Sequence, residues 1–321
     1  MWGVFFLIKR LFGLAAAAAL LSACSNAAPT PPPFPTKVTQ TTDRELTVLD
    51  TFTAVDDATG TLVRIFPTRE VLADSIARSP QRRRSGNLQY HGGPIQTAPK
   101  LYVVFWGSAW NSGGDPNGVA NQLKAFYGAI GGGRWLNSVT QYTQSGGAHV
   151  GNAGNIFAGS YVDTTSSPPG APTQSQMAAE AAKAASHFGD YTASAAYVVA
   201  MPHGIRPSGF GTQYCAYHSS TNASGGTIAW TNLPYMPDAG ASCGAGSVNS
   251  PGTLNGVSIV GGHEQGETET DPFPNSGWLD GNSAENGDKC AWTNLINNPN
   301  AGGFPTQPLW SNANNGCVQS F

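Results

Sequence analysis

The residues best suited to chemistry lie in one run from Gly261 to Pro272, which contains the pattern His-Glu-x-x-Glu. On a helix, His263 and Glu267 lie one turn apart on the same face, where an imidazole and a carboxylate can bind one metal ion. Glu264 would then accept a proton from an activated water, as in the related His-Glu-x-x-His hydrolases. The spacing therefore predicts a metal site that serves hydrolysis.

A solvated helix face can show the same pattern, and the context of the motif favours the metal. The apolar stretch Val257–Val260 would carry the helix into a core. The small residues Gly261 and Gly262 allow close packing beside the histidine. The helix is predicted to run from about Leu254 to Thr270 and to end before Pro272, with Glu269 solvated.

A catalytic zinc site needs a third protein ligand, with water in the fourth position. Glu285 and Asp288 are the best candidates, since they lie three residues apart just before Cys290. His218 is an alternative ligand or a hydrogen-bond donor to the transition state, although a packed or surface histidine explains it equally well. We therefore predict catalytic roles for Glu264 and His218, and metal binding by His263, Glu267, Glu285 and Asp288.

The identity of the metal is open between zinc and calcium at this point. A ligand set rich in carboxylates suits calcium as well as zinc. The loop residues Asp280, Asn282, Glu285 and Asp288 could also form a structural calcium loop by themselves. Asx turns explain the same loop residues without any metal.

The elements that must position these residues alternate between strand and helix. The apolar runs Leu101–Trp106 and Ala195–Met201 predict buried strands, and further strands are predicted at Leu46–Leu49, Leu62–Phe66, Ile156–Val162 and Ile228–Trp230. Helices are predicted over 68–79, 117–130 and 174–188, and Trp135–Tyr142 extends the second of these or forms another. The pattern indicates one α/β domain, with α+β as an alternative. A late His-Glu helix under a mixed sheet is also the layout of zincin-like metalloprotease domains, by analogy only.

The N-terminus has the features of an export signal. Lys9 and Arg10 precede the apolar run Leu11–Leu21, and the segment Leu-Ser-Ala-Cys that ends at Cys24 is similar to a bacterial lipobox. We predict a lipoprotein-type signal peptide over 1–23, lipidation of Cys24, and a proline-rich tether over 24–40. An ordinary signal peptide cut nearby is the alternative.

Two further regions follow the tether. Residues 41–87 form an N-terminal region or a pro-segment, and residues 88–321 form the main domain. Arg82-Arg83-Arg84 is best interpreted as part of a solvated loop, with a basic cleavage site after a pro-segment as the alternative.

Charge and cysteine content limit the classes of partner. Removal of residues 1–23 takes away two positive charges and changes the formal net charge from −3 to about −5. Nucleic acid is therefore not expected as a partner. Four cysteines remain after Cys24 in a chain expected to be exported, which predicts two disulfides. Three pairings are open, and sequence proximity favours Cys215–Cys243 and Cys290–Cys317.

Several motifs, in their order along the chain, resemble the phosphate-induced protein 1/EXORDIUM family. These motifs are His91–Pro94, Leu101–Gly107, Cys215–His218, Gly262–Glu267 and Glu285–Cys290. The similarity runs from about residue 88 to the C-terminus, and the chain departs from the plant pattern after Asp271 and at its C-terminal end. Plant members are secreted cell-wall proteins linked to growth, a role that we do not transfer. The resemblance implies no established reaction.

Two functions from different classes remain at the sequence level. The first is an exported, lipid-anchored, metal-dependent peptidase or amidase that acts on a peptide or a cell-envelope polymer. The second is a non-enzymatic envelope-binding protein with a structural or degenerate metal site. Its glycan-binding surface would use tryptophans in loops, such as Trp106, Trp110, Trp278, Trp292 and Trp310.

Overall fold

The computed structural model describes residues 46–79 and 86–321. The predictions for residues 1–40, including Cys24, and for Arg82-Arg83-Arg84 lie outside these ranges. The first 130 residues supply β1 (Leu46–Val48), β2 (Thr53–Asp56), β3 (Leu62–Pro67), α1 (Arg69–Arg78), β4 (Gln89–Tyr90), β5 (Lys100–Trp106) and α2 (Val119–Ile130). We refer to residues 46–79, which contain β1 to β3 and α1, as the N-terminal unit.

The remaining elements follow in the order β6 (Phe157–Asp163), α3 (Gln174–Phe188), β7 (Ala195–Ala200), β8 (Tyr214–Ala223), β9 (Gly226–Leu233), α4 (Asn255–Thr270), β10 (Trp278–Leu279), β11 (Ile296–Asn298), β12 (Phe304–Thr306), β13 (Leu309–Ser311) and β14 (Gly316–Val318). Residues Leu136–Val139 form a separate 3-10 turn and do not extend α2. None of the helices in the described ranges has the length and apolarity that a bilayer span requires.

The core of the fold is one eight-stranded sheet with the order β1-β2-β3-β8-β9-β7-β5-β6. The strands β6, β5, β7 and β9 run parallel, whereas β8, β3, β2 and β1 continue the sheet in antiparallel pairs. The predicted α/β class is therefore confirmed, with a mixed sheet. Parallel β5 and β7 are buried along their length, as strands covered on both faces should be.

Side-chain alternation along β8 assigns the two helical layers to opposite faces of the sheet. Tyr217 points toward α3, where its hydroxyl contacts the sulfur of Met177. The next residue, His218, points the other way and contacts Glu264 of α4. Successive residues of a strand face opposite sides. Helix α4 thus lies against the face that carries His218.

Two disulfides fix the loops around α4, and both match the pairing that sequence proximity favours. Cys215 of β8 bonds Cys243 in the segment that leads to α4, with Cα atoms 5.5 Å apart. Cys290 bonds Cys317 near the C-terminus, with Cα atoms 5.7 Å apart. The second bridge holds the loop that contains Glu285 and Asp288.

Two expectations from the sequence are corrected. Glu269 was expected to be solvated, but its side chain is fully buried because α4 is enclosed on all sides. The tryptophans named for a glycan surface do not form an exposed platform. Trp106 is buried, and Trp110, Trp278, Trp292 and Trp310 are half-buried and pack against the core.

Candidate metal centre

Helix α4 is unusual because all of its sixteen residues are buried, including its carboxylates. Glycines make this burial feasible. A Cβ atom on Gly261 would lie 2.7 Å from the hydroxyl of Tyr127, and one on Gly262 would lie 2.9 Å from Trp135. Asp271 ends the helix and accepts hydrogen bonds from the amides of the following turn. The residues around the motif thus bring α4 into close contact with α2.

One group of ligand atoms consists of His263, Glu267 and Asp288. Nε2 of His263 lies 3.1 Å from Oε1 of Glu267 and 3.7 Å from Oδ1 of Asp288. The three ligand atoms all lie within 4.8 Å of one another, and the residues are buried. Gly287 permits this approach, since a Cβ atom there would lie 2.8 Å from both Glu267 Oε1 and His263 Nδ1.

A second group shares Glu267 and adds His218 and Glu264. Nδ1 of His218 lies 3.1 Å from Oε2 of Glu264 and 3.8 Å from Oε2 of Glu267. Glu267 therefore lies between the two imidazoles, with one oxygen toward each group. The motif residues and His218, which are 45 or more positions apart in the chain, meet at a single buried point.

Glu285 lies beside this cluster and is held by a cation. Nε of Arg64 donates to Oε2 of Glu285 at 2.8 Å, and Nε2 of His218 lies 3.6 Å from Oε1. Burial alone would raise the pKa of Glu285, but Arg64 and His218 lower it to about 2. Glu285 is thus ionised and paired with Arg64, whereas Asp288 is the carboxylate that joins His263.

The pKa values of the remaining acids move in the opposite direction. Burial and the neighbouring Glu285 charge raise the pKa of Glu267 well above its ordinary value. Burial and the charge of Glu267 likewise raise the pKa of Asp288 well above its ordinary value. Burial also raises the pKa of Glu264, against the effect of its hydrogen bond with His218. Four carboxylates share this buried space with a single arginine, so the cluster favours either protons or another cation.

The two imidazoles differ in charge. Burial lowers the pKa of His218, but the charge of Glu285 and the hydrogen bond to Glu264 outweigh it and hold the pKa well above 6.5. For His263 burial dominates and lowers the pKa. His218 is therefore an imidazolium in this arrangement and suits a role as a hydrogen-bond donor, whereas neutral His263 suits a role as a ligand.

Unpartnered polar atoms test whether a metal fits. Among the described residues, four buried atoms of the cluster have no hydrogen-bond partner, namely His218 Nε2, His263 Nε2, Glu264 Oε1 and Glu285 Oε1. His263 Nε2 is close to Glu267 but lacks the alignment of a hydrogen bond. Buried polar atoms are normally satisfied. A cation held by carboxylate oxygens and by Nε2 of neutral His263, once its ring proton has moved to Nδ1, fits the cluster, whereas the charged His218 fits as a donor.

Gln307 and Phe66 fix the ring of His263. The amide nitrogen of Gln307 donates to the carbonyl of Gly287 at 2.8 Å and lies 3.1 Å from His263 Nδ1. Because that amide nitrogen donates, Nδ1 accepts and the ring proton lies on Nε2. Phe66 stacks on the same ring with centroids 3.7 Å apart. A metal at Nε2 would therefore require the ring proton to move to Nδ1 and Gln307 to turn its oxygen toward Nδ1 to accept it.

The loop of Asp280 does not form a separate calcium site with its neighbours. Oδ1 of Asp280 accepts from the amides of Asn282 and Ala284, and Oδ2 binds Nζ of Lys289 at 2.8 Å. In the part of the chain that the structure describes, the two groups above are the sets of His, Cys, Asp and Glu that could hold an ion. Asx-turn chemistry accounts for Asp280.

The cluster is closed to solvent. A cavity of about 30 Å³, room for about one water, borders Asp288. The N-terminal unit and the loop before Cys290 form its walls, which include Thr51, Phe52, Leu72, Ser75, Ile76, Ala284 and Lys289. This cavity beside the candidate ligand Asp288 is therefore bounded in part by the N-terminal unit.

Arg64, Phe66 and Gln307 were missed by the sequence reasoning. Arg64 had a visible signal, since it is a single charge within the apolar strand Leu62–Phe66 and such a charge must find a buried partner. Gln307 and Phe66 had no comparable signal. Comparison of the chain with protein-family models, with curated proteins and with solved structures finds no match.

Proposed function

We propose that this protein is a metal-dependent hydrolase that cleaves peptide or amide bonds. One observation carries the proposal: the ligand atoms of His263, Glu267 and Asp288 converge within 4.8 Å in a buried cluster, where His263 Nε2 has no hydrogen-bond partner among the residues that the structure describes. The imidazole of His263 favours zinc over calcium, because calcium prefers a shell of oxygen atoms. Bound zinc would supply Lewis-acid polarisation and a water of lowered pKa.

The residues of the chain have distinct roles in this proposal. Glu264 accepts a proton from the attacking water, and its raised pKa suits that transfer near neutral pH. His218, hydrogen-bonded to Glu264 and charged, holds that carboxylate in place and donates toward the developing oxyanion. Arg64 keeps Glu285 ionised beside His218.

The sequence features that accompany the site extend the proposal to location and family. The lipobox-like segment at Cys24 would anchor the protein at the surface of a bacterial envelope. The order of motifs from residue 88 onward supports membership in an EXORDIUM-like family. The alternative, an envelope-binding protein, has less support because its proposed tryptophans pack against the core.

The experiment that tests this proposal is the metal content of the purified protein by elemental mass spectrometry, together with a screen of peptide substrates. Because the cluster is closed to solvent, the screen uses protein cleaved between Ser79 and Gly86 as well as the intact chain. We expect stoichiometric zinc in the parent and in Glu264→Gln, hydrolysis in the cleaved parent, and a loss of that activity of about 10²-fold or more in cleaved Glu264→Gln. His263→Ala should lose the zinc. A parent that binds no zinc after reconstitution, or a Glu264→Gln variant with full activity, would refute the hydrolase.

A further inference from the structure

Strand β3 of the N-terminal unit lies across the candidate metal centre. It pairs antiparallel with β8, and Arg64 is the register partner of His218. The next strand beyond β8 on the other side is β9, so β8 would be the edge of the sheet if β1 to β3 were displaced. An exposed strand edge beside a catalytic cluster is a site at which an extended chain can add by backbone hydrogen bonds.

Alternate side chains of β3 face the cluster and occupy the space beside β8. Arg64 and Phe66 are two residues apart and therefore face the same side. Arg64 binds Glu285 and also donates to Thr53 and to the carbonyl of Ser283. Phe66 stacks on His263 and is itself covered by Trp292, with centroids 4.5 Å apart.

This occupancy explains why the cluster is closed. His218, His263, Glu264 and Glu267 are each exposed by no more than 1 %. Arg64 and Phe66 cover the cluster from the sheet side, and the adjacent cavity at Asp288 is also walled by residues of the N-terminal unit. A substrate that reaches the cluster must therefore take the place of these groups.

We infer that β8 is the docking strand for an extended polypeptide substrate and that β3 occupies it as a built-in inhibitor. This inference rests on the proposed function and names its substrate class. The substrate chain adds antiparallel to β8, with a basic residue directed at Glu285 and an aromatic residue two positions later. In the reaction the C–N bond of the peptide breaks, and water supplies OH to the acyl carbon and a proton to the amine.

Removal of the inhibition requires separation of the N-terminal unit from the main domain. The test uses the full chain, with the residues between Ser79 and Gly86 replaced by a site for a sequence-specific protease. The folded protein is nicked at that site. A fluorescent peptide with the sequence of Thr61–Thr68 is then titrated against nicked and intact protein, and fluorescence anisotropy reports binding. A peptide with the same composition in a scrambled order is the negative control.

Nicked protein should bind the Thr61–Thr68 peptide at least tenfold more tightly than intact protein, and the scrambled peptide should not show this gain. Arg64→Ala in the nicked background should increase binding further, because it weakens the competing strand. Arg69→Ala is the control, since Arg69 lies on exposed α1 and contacts Ser247 instead of the cluster.

Two results would overturn the inference. The first is a nicked protein and a nicked Arg64→Ala variant that remain folded by circular dichroism but bind no peptide at up to about 1 mM. The second is loss of the fold on nicking, which would show that the N-terminal unit, whose Val63 and Ile65 belong to the hydrophobic core, cannot leave the main domain. Peptide binding without hydrolysis would refute the proposed function and keep the docking strand. Hydrolysis of unrelated peptides without preferential binding of the Thr61–Thr68 peptide would refute the docking strand and keep the proposed function.

Discussion

His263 lies between an amide that fixes its tautomer and carboxylates that can share a cation with it. Gln307 donates to Nδ1 through the nitrogen that also binds the carbonyl of Gly287. Zinc-binding histidines normally donate their second ring N–H to an acceptor, and such partners alter metal affinity by about 10–100-fold. Gln307 instead donates to Nδ1, which places the ring proton on Nε2 and so weakens metal binding at that atom.

Gln307→Glu should therefore raise zinc affinity by about tenfold. The new carboxylate accepts from Nδ1–H and leaves the lone pair of Nε2 free for the metal. Competition titration with a chromogenic chelator measures the change. Gln141→Glu is the control, because Gln141 binds Ser138 and Ser311 away from the cluster. Unchanged or weaker zinc binding in Gln307→Glu would show that His263 does not bind through Nε2.

At the scale of elements, the loop from Glu285 to Cys290 must approach α4 more closely than any side chain would allow. Gly287 has an ordinary φ of −75°, so an alanine there would meet a purely steric obstacle. That obstacle is the pair of atoms Glu267 Oε1 and His263 Nδ1, each 2.8 Å from the added Cβ. Overpacking of this kind costs about 1–3 kcal/mol.

Gly287→Ala should thus lower the free energy of unfolding by about 1–3 kcal/mol and weaken zinc binding, because the loop must move away from α4. Urea denaturation and chelator competition measure the two effects. Gly281→Ala in the same loop is the matched control, since its Cβ would meet nothing within 4 Å. Equal behaviour of the two variants would contradict the close approach.

Glu269 shows what complete burial of α4 means for stability. Burial raises the pKa of its carboxyl to about 8, against the hydrogen bond from Gln265, which lowers it. Between the ordinary value near 4.5 and this raised value, the unfolded chain ionises while the folded chain stays protonated. The unfolded state then binds fewer protons, so Glu269 makes the stability fall as pH rises through this window.

Glu269→Gln should therefore be more stable than the parent at about pH 8, by roughly 1–3 kcal/mol, and equal to it near pH 4. Urea midpoints at the two pH values, measured with a chelator present, test this expectation. Glu70→Gln, at an exposed position of α1, is the control for the removal of a carboxyl that is not buried. A Glu269→Gln variant that is destabilised at both values would indicate that the carboxyl is needed for packing.

The sequence allowed α4 and the convergence of its candidate ligands to be predicted because their signal is local. His263, Glu264 and Glu267 follow helical spacing, and Asp288 precedes a cysteine whose bridge holds its loop. Strand β8 was not predicted, since its second half reads as a polar loop with Ser219, Ser220 and Asn222. The contact between Arg64 and Glu285 spans 221 positions, and no local periodicity encodes such a pair.

At the scale of the whole molecule, the cluster joins parts of the chain that are distant in sequence. It receives Arg64 from β3, His218 from β8, the motif from α4, and Asp288 from the loop held by Cys290–Cys317. A cation that binds His263, Glu267 and Asp288 of this cluster only in the folded state stabilises the fold as a unit. The stabilisation depends on pH, because the same carboxyls hold protons when no metal is bound.

Zinc at about 100 times its Kd should raise the stability by about 2.7 kcal/mol and the Tm by about 5–10 °C. The pKa values of Glu267 and Asp288 are raised by burial, so zinc must displace their protons and its affinity increases with pH. The Tm gain should therefore be larger at about pH 8 than at about pH 6, as measured by differential scanning calorimetry. His263→Ala should show no gain at either pH. A gain that is equal at both pH values in the parent would mean that the ion binds elsewhere, because a site whose carboxyls hold protons must release them to bind zinc.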